Sequence, residues 1–369
     1  MSDAMARILL ALLIAVPLRA DIYNRLGELT HHLRSGGVPR DGIPAMTNPQ
    51  SVAPEGAHYL ADTDRVLGVV ANGAARAYPH RLGWKHEVIN DQLGGQYISV
   101  TFCPLTSTGL VFDATAPDSA QIEFGVSGMV LNSNLVLYER SDEKTLYPQM
   151  IYACISGEHR GKRLRLLPVV ETTWGLWRAL HPHTTVVQAA TGLDRYPEYI
   201  RAMYPLEAYG HYPYGNYRSD HRIIFPLTTA RPSDRLLAKE MVLGLRAAGE
   251  TKAYPFTRMP NKAVINDRVG DRAVLVLYHL ATVTAIPYSR VVGDQLLTFR
   301  ILDRTGDLPL AFADVETGSE WNMRGEALAG PLKGAQLEQI PAYNSMWFGW
   351  SAYWPETRLW NGEGILPPP

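Results

Sequence analysis

His86-Glu87-Val88-Ile89-Asn90-Asp91-Gln92-Leu93-Gly94-Gly95-Gln96-Tyr97-Ile98-Ser99-Val100-Thr101-Phe102-Cys103 is the stretch that decides how this chain is built. Residues 86–90 and 97–102 are β-rich runs that flank a Gly-Gly pair, the signature of a tight hairpin. Val88-Ile89-Asn90-Asp91 then returns as Val264-Ile265-Asn266-Asp267, 176 residues on. The same offset relates Val66-Leu67-Gly68 to Val242-Leu243-Gly244 and Ala77-Tyr78-Pro79 to Ala253-Tyr254-Pro255. Further along, Trp174 and Trp177 answer to Trp347 and Trp350 at an offset of 173. An ordered series at one spacing marks an internal duplication.

Working outward, the chain divides into an export signal (1–20), a lead-in (21–57), a first repeat with a cysteine loop (58–188), a Tyr/Gly/Pro-rich connector (189–233) and a second repeat (234–369). Asn72-Gly73 marks another hairpin, between residues 66–70 and 76–78, and residues 131–138 are a further β-rich run. Residues 172–180 predict a short helix capped by Thr172 or Thr173, with both tryptophans inward. A helix is expected near residues 22–33. The expected fold class is α+β and β-rich: two pseudo-symmetric repeats of short strands and hairpins with a few short helices.

The 35 Lys+Arg and 36 Asp+Glu balance, without like-charge blocks, which argues against nucleic acid as a partner. Arg7 followed by the apolar run 8–16 reads as a signal peptide, so a periplasmic or secreted protein is expected. No later segment is long and apolar enough to predict an integral membrane span. Cys103 and Cys154 are the only cysteines, and in an oxidising compartment a disulfide between them is one alternative.

Features common to both halves belong to the scaffold, and features of one half are candidates for chemistry. His86 corresponds to Lys262, and Cys103 to His279. Pairing Asp91 with Gln96 sets His86 opposite Thr101 and makes His86 and Cys103 a diagonal pair on one face. Thiolate and imidazole suit a transition metal, copper foremost, with His279, His80 or His211 completing the set. The same pair suits a reactive thiol, Cys103 as nucleophile and His86 as base. It also suits a buried cysteine and a satisfied histidine with no chemistry. Asn132, Ser133, Thr106 and Tyr214 are the candidate residues for a small-molecule pocket between the repeats. C-x-x-C, H-E-x-x-H, G-x-S-x-G and P-loop motifs are absent.

Asp41-Gly42-Ile43-Pro44-Ala45, His86 to Asp91, Thr101-Phe102-Cys103-Pro104-Leu105, residues 124–134, Thr172 to Pro182, and Pro213-Tyr214-Gly215-Asn216-Tyr217 together resemble the bacterial family called domain of unknown function 3179. The resemblance implies an exported prokaryotic protein and supplies no activity. Its hallmark loop is Cys-Pro-Leu followed by Cys or Thr; here the fourth residue is Thr106. That leaves Cys103 as the single shared thiol and adds weight to His86 and Cys103. The expected function is therefore a copper-binding oxidoreductase. The alternatives are a thiol-dependent enzyme and a non-catalytic ligand-binding protein.

Overall fold

Ala71 and Ala74 pair across Asn72-Gly73, whose φ values of 47° and 82° are the two left-handed residues of a type I′ turn. This turn joins Arg65–Ala71 to Ala74–Pro79. Leu93 and Gln96 pair across Gly94-Gly95 in the next hairpin, between Val88–Leu93 and Gln96–Cys103. The two turns touch: Asn72 Nδ2 donates to Gly94 O at 3.0 Å, and a Cβ on Gly94 would lie 2.2 Å from Ala71 O, so only glycine fits there. Thr108–Asp113 adds a third strand beside Gln96–Cys103.

The computed structural model describes residues 22–228, 233–303, 306 and 308–367, and the expected export signal lies outside them. The fold is α+β and strand-rich, as the sequence predicts, with short strands arranged in small sheets. The same pairings occur in both halves. Arg65–Ala71 lies between Ala74–Pro79 and Val170–Thr173, as Met241–Ala247 lies between Glu250–Pro255 and Ala342–Met346. Tyr78 donates to Asp91 at 2.7 Å, and Tyr254 to Asp267 at 2.8 Å. Trp177 Nε1 donates to Thr184 and Trp350 Nε1 to Thr357, at 2.8 and 3.0 Å. Each of these tryptophans covers the glycine of the neighbouring strand, Gly68 or Gly244, where a Cβ would enter the ring.

One stretch departs from this correspondence, and it corrects the sequence reading. His86 is the last residue of a helix, His80–His86, and is not in a strand. The hairpin register places Val88, not His86, opposite Thr101, and Ile98, not Gln96, opposite Asp91. In the second half Lys262 and His279 do pair across the strands. Pro260 explains the difference. It occupies the position of Trp84, lacks an N–H, and disfavours helical backbone in Met259, whose φ and ψ are −84° and 138°. The second half therefore has only a 3-10 turn, Phe256–Arg258, before its strand. With Trp84 in place of proline, the helix of the first half runs on to His86.

Other expectations are refined. The helix Trp174–Leu180 is capped by the Thr173 side chain, with Trp174 and Trp177 buried. Residues 22–32 form short helical turns. The run 131–138 is broken by a two-residue turn at Asn132-Ser133, φ 52° and 59°, between Phe124–Leu131 and Asn134–Glu139. No helix among the described residues is long and apolar enough to cross a membrane.

The second half seats on the cysteine loop. Met346 N donates to Thr106 O at 2.8 Å, and Tyr353 OH donates to Leu131 O at 2.7 Å. Along the seam Arg65 donates to the carbonyls of Thr282 and Val283, and the hydroxyls of Thr172 and Thr284 meet at 2.7 Å.

Candidate functional site

Cys103 ends its strand opposite Thr108, and Pro104-Leu105-Thr106-Ser107 closes the loop, with Ser107 at φ 51°. A polar knot fixes this loop from below. Asn134 Nδ2 lies within 2.9 Å of Thr106 Oγ1 and 2.8 Å of Gln149 Oε1, while Gln149 Nε2 donates to Thr101 Oγ1 at 2.9 Å. The hydroxyls of Thr106 and Thr108 meet at 2.8 Å. All five side chains are fully buried, so the knot holds the backbone of the loop at a fixed height.

Above the knot the Cys103 thiol is 1% exposed, with Sγ 3.8 Å from Ser133 O. Burial pushes its pKa up to about 11, and the charge of Glu87 adds to the push. Glu87 is the residue that ends the helix, with φ 57° and ψ −30°, a conformation rare outside glycine. Its main chain is pinned: its amide donates to Gly83 O at 3.0 Å, and its carbonyl accepts from Phe102 N at 2.8 Å. Its side chain is 7% exposed and makes no hydrogen bond or ion pair among the described residues. Burial alone raises its pKa to about 8.

The connector covers these two groups with tyrosines. Tyr212, Tyr214 and Tyr217 stack in series, with centroids 5.9 and 6.1 Å apart. Burial raises all three hydroxyls, and the charge of Cys103 contributes at each. Glu87 contributes at Tyr214. Tyr212 OH donates to Pro104 O at 2.8 Å, fastening the cover to the loop. Arg218, exposed, lies over the Tyr212 ring at 4.4 Å and over Trp84 at 5.4 Å. Lys239 Nζ sits 3.4 Å from the Tyr217 centroid and 2.8 Å from Asp220, whose carboxyl it holds down at about 2. Tyr217 OH is buried without a partner.

His86 does not take the role expected of it. Its Nδ1 lies 2.7 Å from Pro44 O and its Nε2 2.7 Å from Tyr209 OH. A carbonyl only accepts, so Nδ1 carries the hydrogen and the neutral ring accepts from the tyrosine at Nε2. Burial depresses the ring to about 4. With both nitrogens occupied, His86 is a structural clamp between the lead-in and the connector. His279 lies in the second half with Nδ1 on Thr282 Oγ1 at 2.8 Å. The expected ligand set of His86, Cys103 and His279 is therefore not assembled. No group of three or more His, Cys, Asp or Glu among the described residues is placed to hold a metal ion. His211 is exposed.

Cys103 and Cys154 are both free and buried, which removes the disulfide alternative, and Cys154 Sγ lies 2.8 Å from Ser156 O. Of the residues expected to bind a ligand, Asn132 accepts from Thr228 N at 2.7 Å, and Ser133 both donates to Phe225 O and accepts from Phe225 N. Thr106 belongs to the polar knot. Of these four, Tyr214 alone makes no side-chain hydrogen bond among the described residues, and its half-buried ring packs between Tyr212 and Tyr217. Glu87, Tyr212 and Tyr217 were missed as site residues. The signal for Glu87 was present: its counterpart is Ala263, so the carboxyl belongs to one half only.

Chemically, the arrangement is a protonated thiol within electrostatic reach of a carboxyl that changes charge near neutral pH, with the hydroxyl of the half-buried Tyr214 within reach of both. These features define a strand-rich α+β protein with a buried cysteine and a buried carboxyl as its candidate site. The chain belongs to the family described as "Protein of unknown function (DUF3179)", whose model matches residues 40–357. No curated protein and no solved structure matches it.

Proposed function

We propose that the chain is a thiol-dependent protein acting on a small electrophilic molecule, with Cys103 as nucleophile and Glu87 as its acid–base partner. The observation that carries this reading is the unpartnered Glu87 carboxyl, raised to about 8, close enough to Cys103 to shift the thiol. A base works best with a pKa near the working pH, and burial gives Glu87 that value. In the step proposed, the Glu87 carboxylate takes the thiol proton as sulfur bonds to the electrophilic carbon. The π electron pair of that carbon moves to its oxygen as the C–S bond forms, and in the reverse direction the C–S bond breaks and Glu87 returns the proton to sulfur. Passing the proton from about 11 to about 8 is uphill by roughly 4 kcal/mol, which bond formation at sulfur must offset. The hydroxyl of Tyr217, buried and within electrostatic reach of Cys103, is the donor proposed for a developing negative charge. Export of the chain, expected from residues 1–20, would place this chemistry outside the cytoplasm.

The test is the rate of Cys103 alkylation by iodoacetamide as a function of pH, followed by intact mass. The reading predicts a rise with an inflection near 8 that Glu87→Gln abolishes. A Cys103 equally inert in both proteins would refute it. Copper bound in equal amount to untagged protein, and lost in Cys103→Ser, would replace it with the metal reading.

A further inference from the structure

Next to Glu87, starting in the wall of the small cavity that it lines, lie two more buried ionisable groups that the site above does not use. His80 opens the helix that Glu87 ends, and is 7% exposed. Its Nε2 is buried without a hydrogen bond and stands 3.5 Å from Glu171 Oε1. Glu171 lies on the strand Val170–Thr173 at the seam between the halves. Its Oε1 accepts from Arg65 at 3.2 Å, and its Oε2 is buried with no partner. A buried nitrogen without a hydrogen bond, next to a carboxylate that keeps one oxygen unsatisfied, is costly, and a native structure keeps such groups where something else completes them.

Two small cavities flank this pair. One, of about 10 Å³, is lined by His80, Gly83, Glu87, Thr101 and Phe102. The other, also about 10 Å³, is lined by Glu171, Gly109, Tyr343 and Asn344. Each has room for a single water molecule. The groups therefore run in order from the seam: cavity, Glu171, His80, cavity, Glu87, and Glu87 in turn acts on Cys103 through its charge.

We propose that His80 is a proton relay, passing protons between Glu87 and Glu171 through one water molecule in the cavity that His80 and Glu87 share. The inference rests on the thiol reading above and supplies its proton route. The proton that Glu87 takes from Cys103 moves to the water as the water gives one to His80 Nε2. The same nitrogen then delivers a proton to Glu171 Oε1, and the ring returns to neutral. The charged groups acting on His80 are Arg65 and Arg218, which both oppose a resident positive charge, and Glu171, which favours one. The imidazolium is thus formed only in passing. Glu87 faces the ring across the cavity, as the second carboxyl of the relay.

The experiment compares Cys103 alkylation by iodoacetamide in the native protein, His80→Ala and Glu171→Gln, with and without added imidazole. The relay predicts at least about a tenfold slowing in both variants. It predicts that imidazole restores His80→Ala alone, because only there does a ring-sized space open beside Glu171. Infrared spectroscopy of the Glu87 carboxylic-acid band, identified by its loss in Glu87→Gln, confirms that the variants keep the site folded. Unchanged rates in both variants, or slowing of His80→Ala without imidazole rescue, would overturn the relay and leave the Cys103–Glu87 reading standing. Loss of the difference between native and Glu87→Gln would overturn that reading instead.

Discussion

An ionised Glu87 makes Cys103 harder to ionise, so this carboxyl and this thiol resist being anions together. Burial supplies the larger part of the thiol's shift, and Glu87 is raised by burial alone. At neutral pH both groups carry their protons, and the first to lose one on going alkaline is the carboxyl. That order makes Glu87 the acid–base group and Cys103 the group it serves. The backbone enforces the arrangement, because Glu87 enters its strand through a left-handed turn held by Gly83 O and Phe102 N.

The pH dependence of stability follows from these groups. His86 and His181 are both lowered from 6.5 to about 4, so the unfolded chain binds protons that the folded one refuses. Stability therefore climbs with pH across that interval. Glu87 is raised from 4.5 to about 8, so the folded chain holds a proton the unfolded one has lost, and stability falls as pH rises through that range. Two histidines outweigh one carboxyl below 6.5, and above it Glu87 titrates without them. Urea unfolding should show a maximum near pH 6.5 and a decline of roughly 1 kcal/mol by pH 8. In Glu87→Gln the decline should flatten; an equally steep decline would assign it to another group.

The tryptophan-on-glycine contacts should have the same effect in both halves. A Cβ at Gly68 would lie 2.2 Å from Trp177 Cε3, and one at Gly244 2.1 Å from Trp350 Cζ3. Gly68→Ala and Gly244→Ala should each destabilise by about 3 kcal/mol through overpacking of a closed core. Urea midpoints measured side by side check this, and a neutral result at either position would show that the ring there can move aside.

Trp84 decides where the helix stops. Trp84→Pro gives the first half the residue that limits the second, and proline inside a helix costs about 3 kcal/mol. Since the helix delivers Glu87, this variant should also lose the Glu87-dependent alkylation of Cys103. Trp84→Leu, which keeps the helix and removes the edge contact to Tyr212 at 5.7 Å, should retain it. Loss in both would assign the effect to the aromatic contact instead.

Much of the scaffold was legible because local chemistry settles it. Asn72-Gly73 and Gly94-Gly95 admit the left-handed turns that hairpins need, and Thr173 caps the helix that carries Trp177. The site was legible only in part. Cys103 stood out as a residue of one half, but its partner was assigned by extending a strand two residues too far, to His86. Nothing in residues 80–86 alone favours a helix strongly, and the contrast with Pro260 in the second half was the clue. Composition marks the connector as rich in Tyr, Gly and Pro, and only tertiary packing shows that Tyr212 fastens it to the cysteine loop at Pro104. Burial of Glu87, which gives that carboxyl its property, is a matter of tertiary packing that no local pattern encodes.

The central claim is that Glu87 titrates near neutral pH beside Cys103, and carbon-13 NMR of glutamate-labelled protein measures it directly. One carboxyl resonance, absent from Glu87→Gln, should move with a midpoint near 8, and should move again in Cys103→Ser. A Glu87 midpoint in the ordinary carboxylate range, unchanged by Cys103→Ser, would contradict the account.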